Sequence, residues 1–225
     1  MTTVNSVGGV MSEGSLAIVL KVIPRGEDDL LCDFLTEKKG RLWALARSGR
    51  KSRKRFGSTL APLNVLSLDL KEKQDSSISF LQEATLVIPL HHLQEDLTRL
   101  HVAFYLIDAV RGMTPERSPE PQKFHLLFES LQKLNQGTEP NALQREFERG
   151  LLKLSGVEPH IAGCLRCGAW GEKGYFAYRE GALFCHRCLP AGQPFEIIAR
   201  GEEEGIFTRF LEYCIGGSLK SKRFI

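Results

Sequence analysis

Four of the six cysteines stand in a fixed pattern: Cys164-Leu-Arg-Cys167 and, after 17 residues, Cys185-His-Arg-Cys188. A two-residue gap lets both sulfurs of a pair reach one ion from a tight turn, and this overall spacing lies within the range of four-thiolate zinc sites. Two such turns facing each other close a tetrahedron with no open position, the arrangement of structural rather than catalytic zinc. Gly168, directly after Cys167, suits the turn, and Tyr175–Tyr178 with Ala182–Phe184 reads as a hairpin between the pairs. The competing readings are two disulfides or two redox C-x-x-C motifs. Disulfides belong to oxidising compartments, and a thioredoxin-type motif follows a strand of a βαβ unit, which this sequence lacks. A deaminase-type zinc requires an H-x-E motif, also missing here. His160 and His186 then stand near the metal as bystanders, and Cys32 and Cys214, on apolar faces, are expected as buried thiols.

Around this element the 225 residues divide by periodicity. Residues 1–14 carry neither a basic n-region nor an apolar h-region, so a disordered leader is expected, with Met11 as an alternative start and a reducing, cytoplasmic location. From Ser15 to about residue 88 five short runs alternate. They are Leu16–Ile23, Leu30–Thr36, Arg41–Arg47, Leu63–Lys71 (Leu66, Leu68 and Leu70 on one face) and Ser77–Glu83 (through Ile78 and Phe80). Turns at Pro24–Gly26, Lys38–Gly40 and Gln74–Ser77 separate them, and five strands with almost no helix between them predict a small barrel.

After Pro89 the period becomes helical. Leu93, Leu97, Leu100, Phe104 and Ile107 predict a first helix opened by His91-His92, and Phe124–Leu134 a second that closes at Gly137. Leu143–Leu154 predicts a third that stops at Gly156. Residues 159–193 hold the cysteine element. Residues 194–225 include a last helix, Glu202–Ile215, ended by Gly216-Gly217. The fold class is α+β: an N-terminal five-stranded barrel (15–88), then a helical bundle (89–158) carrying the four-Cys element. A hydrophobic content of 42% excludes wholesale disorder. The most apolar run, Leu16–Ile23 with Lys21 inside it, falls far short of the roughly 20 residues a membrane helix needs.

A net charge of +3 conceals segregation. Between Arg41 and Gly57 stand seven cations, Arg41, Arg47, Arg50, Lys51, Arg53, Lys54 and Arg55, and no acid. Punctuated by Gly and Ser, the segment reads as a flexible loop between strands, its charges uncompensated until a polyanion neutralises them. The plainer alternative is a solvated surface loop or localisation-like tract. Position favours the first, because such barrels bind single strands across one face and its adjoining loops. Trp43, in phase with Arg41 and Arg47, is either a base-stacking platform or core, and Lys38 and Lys39 extend the basic surface at the preceding turn. The acidic turn Glu27-Asp28-Asp29 has no metal partner in the sequence. No Walker loop, G-x-S-x-G or kinase motif is present, so no enzymatic activity is expected.

Together these features resemble the RecO family of recombination mediator proteins. The resemblance is carried by Gly26–Leu31, Thr36–Leu42, Arg50–Phe56, both cysteine pairs and the closing Leu219-Lys-Ser-Lys-Arg-Phe-Ile225. It implies an OB-fold barrel that binds single- and double-stranded DNA and anneals complementary strands. It also implies partnership with RecR and with the acidic tail of single-stranded DNA-binding protein, so that RecA is loaded onto coated strands near the bacterial nucleoid. On this reading one structural Zn2+ is held by Cys164, Cys167, Cys185 and Cys188. DNA meets Lys38, Lys39, Arg41, Trp43, Arg47, Arg50, Lys51, Arg53, Lys54 and Arg55. The alternative is a zinc-containing protein-interaction adaptor with weak, non-specific DNA binding.

Overall fold

The computed structural model describes residues 14–52, 54–56, 59–71, 78–192 and 194–219. The expectations for residues 1–13 (Met11 included), Arg53, the Gln74–Ser77 turn and residues 220–225 lie outside the described residues. The chain divides at Pro89/Leu90 into two compact units.

In the first unit, β1 (Ser15–Arg25), β2 (Asp29–Thr36), β3 (Gly40–Ala46), β4 (Val65–Lys71) and β5 (Ile78–Ile88) close a barrel in the order β1-β2-β3-β5-β4. Gly40 takes φ +70°, which lets the chain reverse directly into β3, a left-handed conformation open to glycine without a Cβ penalty. The interior is filled by Ala17, Val19, Cys32, Phe34, Leu42, Ala44, Leu66, Leu68 and Leu81. The phase of β5 is the reverse of its apolar reading. Ser79, Leu81 and Ala84 are the buried set, while Ile78 and Phe80 are half-buried. Leu81 belongs to the barrel core, so its neighbours in the pleat turn away from it, opposite Trp43 and Leu45 of β3.

The second unit begins with a short turn of 3-10 helix, His91–Gln94, followed by α1 (Leu97–Met113), α2 (Pro121–Asn135) and α3 (Pro140–Leu154). Asp96 caps α1, its carboxylate accepting the Thr98 and Arg99 backbone N–H groups at 2.8 and 3.2 Å. The cap separates Leu93 from the helix proper and leaves Leu97 83% exposed in the first turn. The buried residues of the helix are therefore Val102, Ala103, Tyr105, Leu106, Ile107, Ala109 and Val110; of the expected stripe Ile107 is buried, while Leu97 and Phe104 are exposed. Pro121 and Pro140 occupy first-turn positions, where no backbone donor is lost.

A three-stranded sheet, β6 (Lys173–Ala177), β7 (Ala182–Phe184) and β8 (Phe195–Ala199), lies in the order β7-β6-β8. The last helix, α4 (Glu204–Ile215), starts two residues later than expected and ends at Gly216 with φ +84°. Cys214 is exposed rather than buried, because the apolar stripe of α4 stops at Leu211. A buried carboxylate ties the bundle together. Glu148 of α3 accepts hydrogen bonds from Tyr105 of α1 (2.5 Å), Thr208 of α4 (2.8 Å) and Gln144 (3.0 Å). Burial first, and the neighbouring Glu148 second, push the Tyr105 phenol well above its usual range, so it serves as a fixed donor. No described helix is long and apolar enough to cross a membrane.

Candidate nucleic-acid interface and metal centre

The segment after β3 is a built structure. Ser48 has φ +53°, Gly49 donates to the Ala46 carbonyl, and Lys51 and Ser52 both donate to the Ser48 carbonyl, so the chain winds through a tight turn. At its far end Phe56, 2% exposed, enters the barrel core, and Ala84 of β5 donates its N–H to the Arg55 carbonyl. Among its described residues this segment is anchored at both ends by core and backbone contacts, which makes it a strap.

The seven cations divide into groups. Arg41 grips Asp33 of β2 through Nε (3.0 Å) and a second nitrogen (2.9 Å), with Asp33 0% and Arg41 13% exposed. A fork-on-carboxylate pair of this kind is already neutral and ordered, so little of its charge is left for a phosphate. Lys51 pairs with Asp28 at 2.7 Å, and the Arg50 guanidinium donates to the Glu27 carbonyl at 3.2 Å. The charges read as uncompensated are thus compensated in part, by an acidic turn more than twenty positions upstream.

Arg47 and Arg55 take a third role. Together with Lys71, Leu45, Phe80, Leu81 and Gln82 they line a cleft of about 470 Å³ on the outside of the β3–β5 seam. The Arg47 guanidinium lies 4.8 Å from the centre of the Phe80 ring, and that of Arg55 lies 4.8 Å from Phe56. Arg55 also donates to Ser52 Oγ at 3.1 Å and to the Arg47 carbonyl, so its plane is held from three sides. Three cations around a half-buried ring bring together the two elements used in single-strand recognition, backbone charge and an aromatic side chain.

Sequence reading missed Phe80, Lys71 and Gln82. Phe80 carried a signal, an aromatic residue in a strand one step out of phase with Leu81, but the alternation of Ile78 with Phe80 read as core. Trp43 is half-buried on the same face of β3, opposite Asp33 and Ile78, further along the strand from the cleft. Lys38 and Lys39 are exposed at the start of β3, one seven-residue strand and thus roughly 20 Å from Arg47. Lys54 is exposed on the strap.

In the second unit the four cysteines converge, with all their sulfurs within 4.8 Å of one another. The Cys167 and Cys185 sulfurs are 3.7 Å apart. A tetrahedron with metal–sulfur bonds of about 2.3 Å has edges of about 3.8 Å, so the donor set fits a four-coordinate soft cation. Each pair sits in the predicted turn: Gly168, φ +71°, donates to the Cys164 carbonyl at 2.8 Å, and Cys188 donates to that of Cys185 at 3.0 Å. Ala177, Ala182 and Phe184 of the sheet pack against Cys164, Cys185 and Cys188, while Cys167 is exposed. Burial acts to raise the Cys164 thiol, but N–H groups of Cys185, Cys167 and Arg166 outweigh it and bring it down to about 6. The Cys188 thiol, donating to Cys185 and Cys167, is pushed up to about 12. The cage thus prepares some of its thiolates while holding another proton firmly, the balance that a divalent cation resolves. His160 shares backbone hydrogen bonds with Gly181 and Leu183 instead of joining the donor set.

The barrel coincides with a family match described as Recombination protein O N terminal, over residues 11–90. Within the second unit, residues 94–194 match Recombination protein O C terminal. A DNA repair protein RecO from Anaeromyxobacter sp. (strain K) is 30% identical, covering 92% of this chain and 93% of its own. The chain belongs to the RecO family. Another RecO, from Syntrophus aciditrophicus, is 34% identical over 76% of this chain and 67% of its own. The Bacillus velezensis RecO is 26% identical over 92% and 80%. Both the barrel and the four-Cys unit thus lie within a RecO-type DNA repair protein.

Proposed function

We infer that the chain binds single- and double-stranded DNA through the β3–β5 cleft and its strap, and that it anneals complementary strands. The observation that carries this reading is the cluster of Arg47, Arg55 and Lys71 around Phe80 on the outside of a small closed barrel. The work is electrostatic and stacking, with no covalent step. Cations that neutralise two phosphate chains at once reduce their repulsion, and pairing becomes fast. Family membership supports a mediator role in recombinational repair, in which RecR and the acidic tail of single-stranded DNA-binding protein are partners and RecA is the recipient of the cleared strand. That role places the chain in the cytoplasm beside the nucleoid. The four cysteines hold one structural Zn2+, which supplies cross-linking to a hairpin too small to be stable alone.

The reading is tested by titrating a labelled single-stranded oligonucleotide against salt. Changing Arg47, Arg55 and Lys71 to Gln should weaken binding and flatten the log–log salt slope by about 2, at roughly 0.7 for each phosphate of a single strand that is no longer neutralised. The same variant should anneal complementary strands slowly. An unchanged slope, with binding intact, rejects the cleft and favours an adaptor that works through proteins. Metal analysis should return one zinc per chain.

A further inference from the structure

The fold places the acidic turn between β1 and β2, Glu27-Asp28-Asp29, directly against the basic strap. Hydrogen bonds and an ion pair join the two. Asp29 Oδ1 accepts the Ser48 N–H at 2.8 Å. The Asp28 carbonyl accepts the Arg50 N–H at 3.0 Å, and the Glu27 carbonyl takes the Arg50 side chain at 3.2 Å. Lys51 Nζ pairs with both Asp28 oxygens, at 2.7 and 2.9 Å. Resting on the DNA-binding reading above, we propose that two adjacent acids act on this site in opposite senses. Asp29 is a positioning residue that holds the strap in its binding form, and Asp28 is an internal competitor that occupies Lys51 until a phosphate displaces it.

The two carboxylates differ in what they touch. Asp29 reaches a backbone N–H at the residue where the chain takes φ +53°, a conformation that side-chain-bearing residues adopt only when held. A cluster of like charges would otherwise spread, and the backbone bond keeps Arg47 at the end of β3, where its guanidinium meets Phe80. A neutral amide oxygen can accept the same N–H, so Asp29→Asn keeps the bond's geometry while losing its charge assistance. Asp28, by contrast, makes an exposed ion pair with a side chain, an interaction that contributes little to stability and exchanges readily for another anion. Its backbone carbonyl, not its side chain, does the anchoring at Arg50. Simple removal of negative charge near a DNA site predicts a gain in affinity at both positions. The geometry predicts a gain at one and a loss at the other.

The test measures single-strand affinity and its salt slope for wild type, Asp28→Asn, Asp29→Ala and Asp29→Asn in the full chain. It also follows tryptic cleavage within residues 47–55. Asp28→Asn should bind about three-fold more tightly at 0.1 M salt and steepen the slope by about 0.7, as Lys51 becomes available to one further phosphate. Asp29→Ala should bind roughly ten-fold more weakly, because the strap must be ordered on binding. Its cleavage should be fast in the strap, with the thermal midpoint close to wild type. Asp29→Asn should restore both affinity and protection. Equal gains at the two acids, an unaltered slope in Asp28→Asn, or failure of Asp29→Asn to rescue would overturn the proposal. The proteolysis comparison reads Asp29 whether or not the wild type binds DNA. Absence of DNA binding with Asp29-dependent protection would therefore reject the functional reading above and, with it, the competitor role, while leaving Asp29 as the organiser of the strap.

Discussion

On the proposed reading, Phe80 is the side chain that sets which form of DNA the cleft prefers. Its ring is half-buried, packed at one side against the Arg47 guanidinium at 4.8 Å, and it forms part of the lining of the basic cleft. Cations attract any polyanion, whereas a ring is useful only to a base that has left its stack. Phe80→Leu keeps the apolar volume and removes the stacking face. It should weaken single-strand binding by about ten-fold, within the range of about 1–3 kcal/mol per stacked base, and leave duplex affinity and the salt slope unchanged. Equal weakening on single and double strands would show that the ring is only a support for Arg47. The residue escaped sequence reading because a period of two shows that neighbours face opposite ways but not which face is inside. Arg41 escaped for a related reason. A run of cations is visible in sequence, but the carboxylate that neutralises one of them, Asp33, sits on another strand.

At the scale of elements, the cysteine hairpin and the helices α2 and α3 were legible almost to the residue. Their signals are local: two-residue spacings, prolines at the first turn, glycine after the last. The first helix was less legible, because α1 is buried around most of its circumference and carries no clean stripe. The cap of α3 gives a pH-dependent prediction. The Glu139 carboxylate accepts the N–H groups of Asn141 and Ala142 at 2.9 and 2.6 Å, and these bonds hold it below its ordinary value of 4.5. A depressed carboxyl stabilises the fold above the unfolded value, and the contribution is lost as pH falls through the folded one. Glu139→Gln should therefore lower the thermal midpoint at pH 7, with the difference shrinking as the pH is taken below about 4. A constant difference across that range would remove the carboxylate's charge from the account.

For the molecule as a whole, the barrel and the bundle are held by apolar interiors, and the cysteine sheet by other means. The barrel has a continuous apolar interior, while the three-stranded sheet packs a few residues, Ala177, Ala182 and Phe184, against its thiolates. On the proposed zinc reading, a chelator should lower the thermal midpoint by roughly 10 °C, given the several kcal/mol of a structural site and the size of the chain. Hydrogen exchange should accelerate in β6 and β7 while β1–β5 keep their protection. Loss of protection across the barrel strands would contradict this division. The barrel itself carries one further consequence. Its closure depends on the parallel register of β3 with β5, where Trp43, Ala44 and Leu45 meet Ile78, Ser79 and Phe80. These partners are distant in sequence, as are those that join β1 to β4, and both pairings must form before the barrel is closed. The cleft straddles the β3–β5 seam and takes Arg47 from one side and Phe80 from the other. A nascent chain whose fifth strand is still in the ribosome has the cations but no cleft, and on the proposed reading competence for a strand of DNA arrives only once β5 is in place.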